Sequence, residues 1–316
     1  MTVDTVVREF EADLVIRSAE LVADGVVALS LAGDDLPDWT PGAHIDLILG
    51  DGLVRQYSLC GRTGDPGCWR IAVLETPDSR GGSRAVHRLA AGATVRVRGP
   101  RNHFPVVASR RYLFLAGGIG ITPLLPMINE VSAAGADWEL HYGGRTVKSM
   151  AFTESLTALG DRVRLVPEDS HGRLDLDAIL GTPRADTLVY ACGPEGMLAA
   201  VEQRCSAWPA GSLHVERFTA RSLDKTDETE FEVVLQHSGK TVTVPAGQSI
   251  FETVRRAGVS VLGSCLEGIC GTCETEVLDG EVDHRDSVLD EDERESGEVM
   301  MICVSRCKGS RLTLAL

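Results

Sequence analysis

The stretch Cys265-Leu-Glu-Gly-Ile-Cys-Gly-Thr-Cys273, followed after 29 intervening residues by Cys303, decides how the C-terminal part of this chain reads. C-x4-C-x2-C with a distant fourth Cys is the plant-type [2Fe–2S] spacing. Two irons and two sulfides need four thiolates converging on a small volume. Three on one tight loop supply most of the cage, and Cys303 closes it. Gly268 and Gly271 let the backbone wrap closely and aim N–H groups at the sulfurs. A structural zinc site would show paired C-x2-C knuckles, a spacing that only Cys270 and Cys273 have. Disulfides are disfavoured, because Met1–Phe10 lacks the apolar stretch of a secretory signal and nine cysteines is an odd count. Cys307, four residues past Cys303, is a second candidate for the fourth ligand. The segment therefore moves single electrons, and the rest of the chain must say where they come from.

At 316 residues, 43% hydrophobic and 24% charged, the chain reads as a soluble globular protein of two or three domains. A net charge of −15 argues against nucleic acid and anionic membranes as partners. From Thr219 to Leu316 there are 19 acidic and 10 basic residues, a net of −9, leaving −6 for the first 218. Asp279–Glu298 alone holds 10 acidic residues against Arg285 and Arg294. That run is either a solvated face or an acidic docking surface for a basic partner. Tyr112 to Asn129 carries no charge and has nearly the length of a membrane span. Its interior, Ala116-Gly-Gly-Ile-Gly-Ile-Thr-Pro123, reads better as a strand, a glycine loop and a helix opened by Thr122-Pro123.

Short alternating runs fill residues 1 to about 105: Gly25–Leu31, His44–Leu49, Trp69–Leu74 and Thr94–Arg98, with Gly and Pro between them. This spacing predicts a small antiparallel barrel. From about 110 to 215 strands (Tyr112–Ala116, Trp138–Tyr142, Val163–Val166, Thr187–Cys192) alternate with helices (Pro123–Ala134, Ala151–Leu159, Glu195–Cys205), which predicts a parallel α/β sheet. The polar stretch Thr219–Glu230 is the best linker. Strands Phe231–Gln236 and Thr241–Val244 and a helix at Ser249–Ala257 follow it.

Gly117-Gly-Ile-Gly120 lies between a strand and a helix, so backbone N–H groups would face a pyrophosphate; an ordinary tight turn would look alike. Cys192-Gly-Pro194 ends a later strand, and in a parallel sheet both turns fall on the carboxyl edge, where ligands bind. Arg55-Gln-Tyr-Ser58 groups a cation, a ring and a hydroxyl, and Arg80-Gly-Gly-Ser83 is a basic, glycine-hinged loop able to hold a phosphate. Taken singly, each also suits an ordinary strand or turn.

In their order along the chain, Arg55–Ser58, Arg80–Ser83, Gly117–Pro123, Cys192–Pro194 and the four cysteines, the five motifs resemble the phthalate dioxygenase reductase family, which includes vanillate demethylase reductases and sits in the ferredoxin–NADP reductase superfamily. The resemblance implies three parts. These are an antiparallel β-barrel flavin domain (1–106), an α/β parallel-sheet NAD-binding domain (107–218), and, after a linker (219–230), a β-grasp plant-type [2Fe–2S] ferredoxin domain (231–316). It implies that Arg55, Gln56, Tyr57 and Ser58 line the flavin, with backbone contacts from Ala72, Val73 and Leu74. Arg80, Gly81, Gly82 and Ser83 would hold the phosphate of FMN, FAD being the alternative. Gly118, Gly120 and Thr122 would face NADH, with Cys192, Gly193 and Pro194 beside the nicotinamide and Phe218 packing near the flavin or anchoring a hinge. Cys303-Val-Ser-Arg306 fits the fourth ligand's surroundings better than Cys307 does, leaving Cys60, Cys68, Cys192, Cys205 and Cys307 as packing residues. Arg145 and Lys148 favour NADPH, whereas the resemblance points to NADH.

NADH delivers two electrons together and a [2Fe–2S] cluster accepts one, so flavin must sit between them. No catalytic proton donor is named. The expected path is NADH to FMN to [2Fe–2S] to an external Rieske non-haem iron oxygenase or cytochrome P450 in aromatic catabolism, in the cytoplasm. An iron–sulfur redox-sensing regulator and a stand-alone flavin or ferric reductase are the rival readings.

Overall fold

Period-2 alternation along the first hundred residues puts one apolar face on each strand, and six such strands close on themselves. The computed structural model describes residues 9–50, 53–77, 81–220 and 228–316. The chain divides into two units, Met1–Val215 and Glu216–Leu316.

In the first unit β1 (Glu11–Ala23), β2 (Val26–Ala32), β3 (His44–Leu49), β4 (Leu53–Ser58), β5 (Cys68–Leu74) and β6 (Thr94–Arg101) form one antiparallel sheet in the order β4-β3-β6-β1-β2-β5. A bridge between Leu59, just past β4, and Ile71 on β5 joins the two edges into a barrel. Its interior is filled by Leu14, Ile16, Leu29, Leu31, Ile45, Leu47, Ile71 and Val97, and α1 (Gly82–His87) adds Val86 to that core. Asp46 is fully buried on β3 and is held by Arg98 at 2.7 Å, Arg101 at 2.6 Å and the Gln56 amide at 2.8 Å. The long strand β1 was not expected. Its Glu, Ala and Leu content favours helix, yet it serves β6 over Glu11–Val15 and β2 over Val15–Ala23, with two register shifts in the second pairing.

The second half of this unit is a sheet of β7 (Arg111–Gly117), β8 (Asp137–Gly144), β9 (Val163–Pro167), β10 (Thr187–Cys192) and β11 (Leu213–Glu216), ordered β11-β10-β7-β8-β9. Strands β10, β7, β8 and β9 run parallel. Helices α2 (Ile121–Ala133), α3 (Thr153–Thr157), α4 (Glu168–His171), α5 (Leu176–Leu180) and α6 (Glu195–Cys205) cover it. Phe114, Leu124, Met127 and Tyr142 pack one side; Leu115, Val189, Leu198 and Val201 pack the other. With both faces buried, β7 must be apolar throughout, which accounts for the uncharged Tyr112–Asn129 run. Among the described residues no helix is long and apolar enough to cross a membrane. The helix expected over Ala151–Leu159 forms only at α3, because Phe152 takes a left-handed φ of 63° and tucks its ring under Arg70, 5.4 Å away. Val26, Ala28, Ala72 and Cys60 from the barrel meet Ile119, Leu125, Ala151 and Phe152 in an apolar seam between barrel and sheet.

The second unit has β12 (Phe231–Leu235), β13 (Lys240–Val244), α7 (Ile250–Arg256), β14 (Glu274–Asp279), β15 (Val282–Asp283), α8 (Glu291–Ser296), β16 (Val299–Met301), β17 (Arg306–Cys307) and β18 (Arg311–Leu314). The sheet order is β13-β12-β18-β14-β16, with β12 and β18 parallel, and α7 lays Ile250, Phe251 and Val254 across it in the β-grasp manner. Part of the expected linker, residues 221–227, lies outside the described residues.

Arg306 ties this unit together. Its guanidinium is 6% exposed and donates to Gln248 O at 2.6 Å, Thr229 O at 2.9 Å and Pro245 O at 3.3 Å, over the Phe231 ring and 3.6 Å from Glu228. Replacing it with Met leaves three carbonyls without their donor and removes one of the two cations facing the Glu228 carboxylate, which keeps Arg285 at 2.6 Å. Arg306→Met should destabilise the unit by about 3–5 kcal/mol, measured by chemical denaturation followed at the cluster absorption.

Candidate functional site

Antiparallel pairing of β14 with β16 sets Glu274 opposite Met301, so Cys273, just before β14, and Cys303, just after β16, meet at one end of the ladder. The Cys265–Cys273 loop brings the other two thiols there. Cys303 lies in hydrogen-bonding reach of Cys265 and Cys273, and Cys265 of Cys270. Among the described residues no three His, Cys, Asp or Glu side chains close around a single ion, and the four thiols are linked pairwise. The Cys265 N–H points at Cys270 Sγ (3.4 Å), the Glu267 N–H at Cys265 Sγ (3.3 Å), and Thr272 Oγ1 lies 3.2 Å from Cys270 Sγ. The neighbouring thiols Cys270 and Cys303, with backbone N–H groups, hold Cys265 well below the usual thiol range despite burial. Four converging sulfurs, with amide donors aimed at Cys265 and Cys270, fit a [2Fe–2S] cluster, which takes thiolates rather than thiols. Cys307 instead directs its thiol to Arg311 O at 3.4 Å and packs in the core.

The loop is shaped by close approach. A Cβ on Gly268 (φ +70°) would meet Val304 Cγ2 at 2.5 Å and Asp286 Cα at 3.1 Å. Asp286, which sequence reasoning passed over as one charge in a run, is 2% exposed and organises this region. Its carboxylate accepts from the Val288 and Leu289 N–H groups at 3.0 and 2.9 Å, and the Ser287 N–H donates to Gly268 O at 2.8 Å. Much of the Asp279–Glu298 run is thus structural. Asp283 pairs with Arg285 at 2.6 Å, Glu281 with Lys308 at 2.9 Å, and Asp290 caps α8 in a reciprocal box with Glu293. Glu291, Asp292 and Glu295 are exposed and carry no ion pair among the described residues. Leu266, beside the first ligand, is the exception to glycine at left-handed positions in this loop. Its φ is +57°, which costs about 1–2 kcal/mol for a residue with a Cβ.

In the parallel sheet the order reverses between β7 and β10, and a cleft opens at their carboxyl ends. Gly117 ends β7, a 3-10 turn spans Gly118–Gly120, and Cys192-Gly-Pro194 follows β10 alongside. The two turns touch backbone to backbone. A Cβ on Gly193 would lie 2.9 Å from Gly117 Cα, and one on Gly120 would overlap the Cys192 carbonyl and sit 2.8 Å from Gly193 N. Gly118, with φ +55° and open space around it, borders the cleft. Thr122 is buried and donates its hydroxyl to Ile119 O at 2.9 Å, so it braces the turn. Paired glycine turns at a helix start fit a pyrophosphate. Gly117 opens the turn that the sequence marks, but the reason it must be glycine, the approach of Gly193 and Pro194, is tertiary. Arg145 and Lys148 are exposed beyond β8, and the Lys148 carbonyl accepts from the Asp24 N–H at 2.8 Å.

On the barrel, register places Tyr57 opposite Ile45 and Gln56 opposite Asp46. Tyr57 therefore shares a face of β4 with Arg55, while Gln56 turns the other way and donates to Asp46. Burial pushes the Tyr57 phenol up to about 12 against the opposing Arg55 charge, so its hydroxyl stays protonated. Gly82 and Ser83, expected on a loop, begin α1, and Gly81 precedes them with φ +93°. A Cβ on Gly82 would meet Arg55 Cγ at 2.6 Å and Nε at 2.8 Å, so the first flavin motif lies against the second. Arg80 lies outside the described residues. Ser83 Oγ accepts from the Thr76 N–H at 3.3 Å, and Ser58 is buried. His87 Nε2 meets the Val73 carbonyl at 2.9 Å, a contact no motif announced. The Ala72 side chain sits in the apolar seam and that of Val73 in the barrel core, and both residues pair with β2. Phe218 is 39% exposed and belongs to the second unit. The helix-opening glycines packed on an arginine fit a flavin phosphate.

Comparison with known proteins agrees. Residues 233–308 match the 2Fe-2S iron-sulfur cluster binding domain family, and residues 114–203 the oxidoreductase NAD-binding domain family. The chain is 42% identical to the toluene-4-sulfonate monooxygenase system reductase subunit of Comamonas testosteroni, over 96% of this chain and 98% of that one. The solved structure of phthalate dioxygenase reductase matches 97% of this chain and 98% of its own, with 35% identity and a TM-score of 0.68. The chain belongs to the phthalate dioxygenase reductase family. It is an NADH-dependent flavin iron–sulfur oxidoreductase that serves as an electron-transfer reductase component. A type IV self-sufficient cytochrome P450 monooxygenase is also similar, at 46% identity and a TM-score of 0.93; this chain corresponds to 97% of itself and 41% of that longer protein.

Two substitutions test the geometry. Cys303→Ser should abolish the visible absorption and EPR signal of the cluster, while Cys307→Ser should keep both. Gly120→Ala forces a Cβ into the Cys192 backbone and should cost about 1–3 kcal/mol of stability while weakening NADH binding at least tenfold, read by denaturation and by titration of flavin absorbance.

Proposed function

We propose that this chain passes electrons from NADH through FMN and its [2Fe–2S] cluster to the oxygenase component of a two-component system, a Rieske non-haem iron oxygenase or a cytochrome P450. The observation that carries the reading is the occurrence, in one chain, of the four-thiol cage, the paired glycine turns at the β7–β10 switch point and the Arg55–Gly82 cradle. Bound flavin would supply the conversion from two-electron hydride chemistry to single-electron delivery. Arg55, Tyr57 and Ser58 orient the ring and ribityl chain, and Arg80 with Gly81, Gly82 and Ser83 holds a terminal phosphate, which favours FMN over FAD. Gly118 and Gly120 receive the dinucleotide on backbone N–H groups, Thr122 holds their turn, and Cys192-Gly-Pro194 forms the wall beside the nicotinamide. None of these side chains has to transfer a proton. Cys265, Cys270, Cys273 and Cys303 hold the cluster.

The relatives support the partner class. One is named as the reductase subunit of a monooxygenase system, another is a dioxygenase reductase, and a third has the matching region within a P450 monooxygenase. A boundary near 106/107 separates flavin and nicotinamide parts in this reading, and 219–230 links them to the ferredoxin part. Cys60, Cys68, Cys192, Cys205 and Cys307, free thiols outside the cage, support a reducing, cytoplasmic setting.

Anaerobic titration of the purified protein with NADH, followed by visible absorption and EPR, tests the path. Flavin bleaching and a rhombic reduced-cluster signal should appear together, with about three electrons taken up per chain. A flavin-free protein, or a cluster that stays oxidised, would remove the reading.

A further inference from the structure

The cluster loop carries an exposed apolar side chain that the four thiols do not require. Leu266 follows the first ligand, is 47% exposed, and is held at φ +57°. Glycine adopts that conformation without penalty, and Gly268 and Gly271 do so in the same loop at +70°. The left-handed backbone presents the Glu267 N–H to Cys265 Sγ, which glycine would do without penalty, whereas the half-exposed leucine side chain adds little packing to its own unit. Leu262, four residues earlier, is 64% exposed. A Cβ on Gly263, between them in the chain, would lie 3.1 Å from Leu266 Cδ2 and clash with the Phe251 ring. Gly263 thus lets this loop segment settle on Phe251 while both leucines stay exposed.

The surroundings specify what covers this pair. Ser287 donates to Gly268 O at 2.8 Å, and residues 286–290 run from that contact into α8. The unpaired carboxylates of Glu291, Asp292 and Glu295 are therefore delivered to the cluster loop, and Glu274, next to the third ligand, adds a charge close to Glu293. An apolar centre with a rim of negative charge suits a protein whose own apolar centre is ringed by Lys and Arg.

We propose that Leu262 and Leu266 form the apolar centre of the surface on which the electron-accepting protein docks, with the α8 carboxylates steering a cationic partner to it. This rests on the reductase reading and narrows its exit to one face of the cluster loop. The docking step itself makes and breaks no covalent bond; one electron leaves the cluster for the acceptor's metal centre.

Full-length Leu266→Gly and Leu262→Ser proteins test it, with cytochrome c as the cationic acceptor. Leu266→Gly relieves the left-handed strain, so its thermal midpoint should hold or rise. Reduction of the cluster by NADH, followed by anaerobic stopped-flow absorption, should stay within about twofold of wild type. The KM for cytochrome c should rise about five- to tenfold in each variant, the cost of truncating an interface anchor. The wild-type rate should fall steeply with salt while the variants keep the same slope. Unchanged cytochrome c kinetics in both variants would overturn the proposal. So would slowed reduction of the cluster by NADH, which would make Leu266 part of the chain's own electron flow. Concentration-dependent dimerisation lost in Leu266→Gly would overturn it as well, assigning the pair to a second copy. A wild-type cluster that NADH cannot reduce would instead fail the reductase reading itself, before either leucine is changed.

Discussion

Two thiolates 30 positions apart can share one small cage only if the chain is folded back on itself in a fixed register. The Glu274–Met301 pairing does this, and the second unit is arranged around it. A slip of one residue along that ladder would move Cys303 by about 3.3 Å and turn it to the opposite face. The pairing is short, so its neighbours must hold it. The buried Met300 and Met301 and the Ile302 carbonyl, which accepts from Phe251 N–H at 3.0 Å, lock the β16 side. Buried Asp286 fixes the loop on the other side, through Ser287 and Gly268.

The first unit depends on a different economy, that of missing side chains. Gly117, Gly120 and Gly193 allow two turns to touch through backbone alone, and Gly82 allows Arg55 to lie flat against the start of α1. Polar backbone left uncovered in this way is available to anionic groups without a dedicated cationic side chain at every position. Burial of Tyr57 acts in the same direction, keeping a neutral hydroxyl beside an arginine.

How much of this was legible follows from the range of the interactions. The cysteine cage, the two glycine turns and the order of the three parts were readable because their chemistry is written in local spacing. Strands such as Thr187–Cys192 and the helix Glu195–Cys205 came out of periodicity with their observed bounds. The strand β1 did not, since its composition is helical and only its two neighbours make it extended. The Asp279–Glu298 run looked like a single acidic surface. Asp283, Asp286 and Asp290 are in fact spent on an ion pair, a buried turn and a helix cap, and only burial distinguishes them from Glu291 and Asp292. Gln56 was grouped with Arg55 and Tyr57 by adjacency, whereas strand alternation sends it to Asp46 on the opposite face.

The seam between barrel and parallel sheet has a mechanical consequence. Ala28, Ala72 and Ala151 pack there among Val26, Leu125 and Phe152, and a close-packed apolar layer of this kind has little that can compress. The seam acts as a spacer of fixed thickness between the barrel and the parallel sheet. One added methylene there would work as a shim and, under the proposed function, would open the distance a hydride has to cross. Misplacement by about 1 Å can cost on the order of a hundredfold in rate. Under the proposed function, the spacing of the two ligands would thus be set partly by alanine side chains packed in this seam.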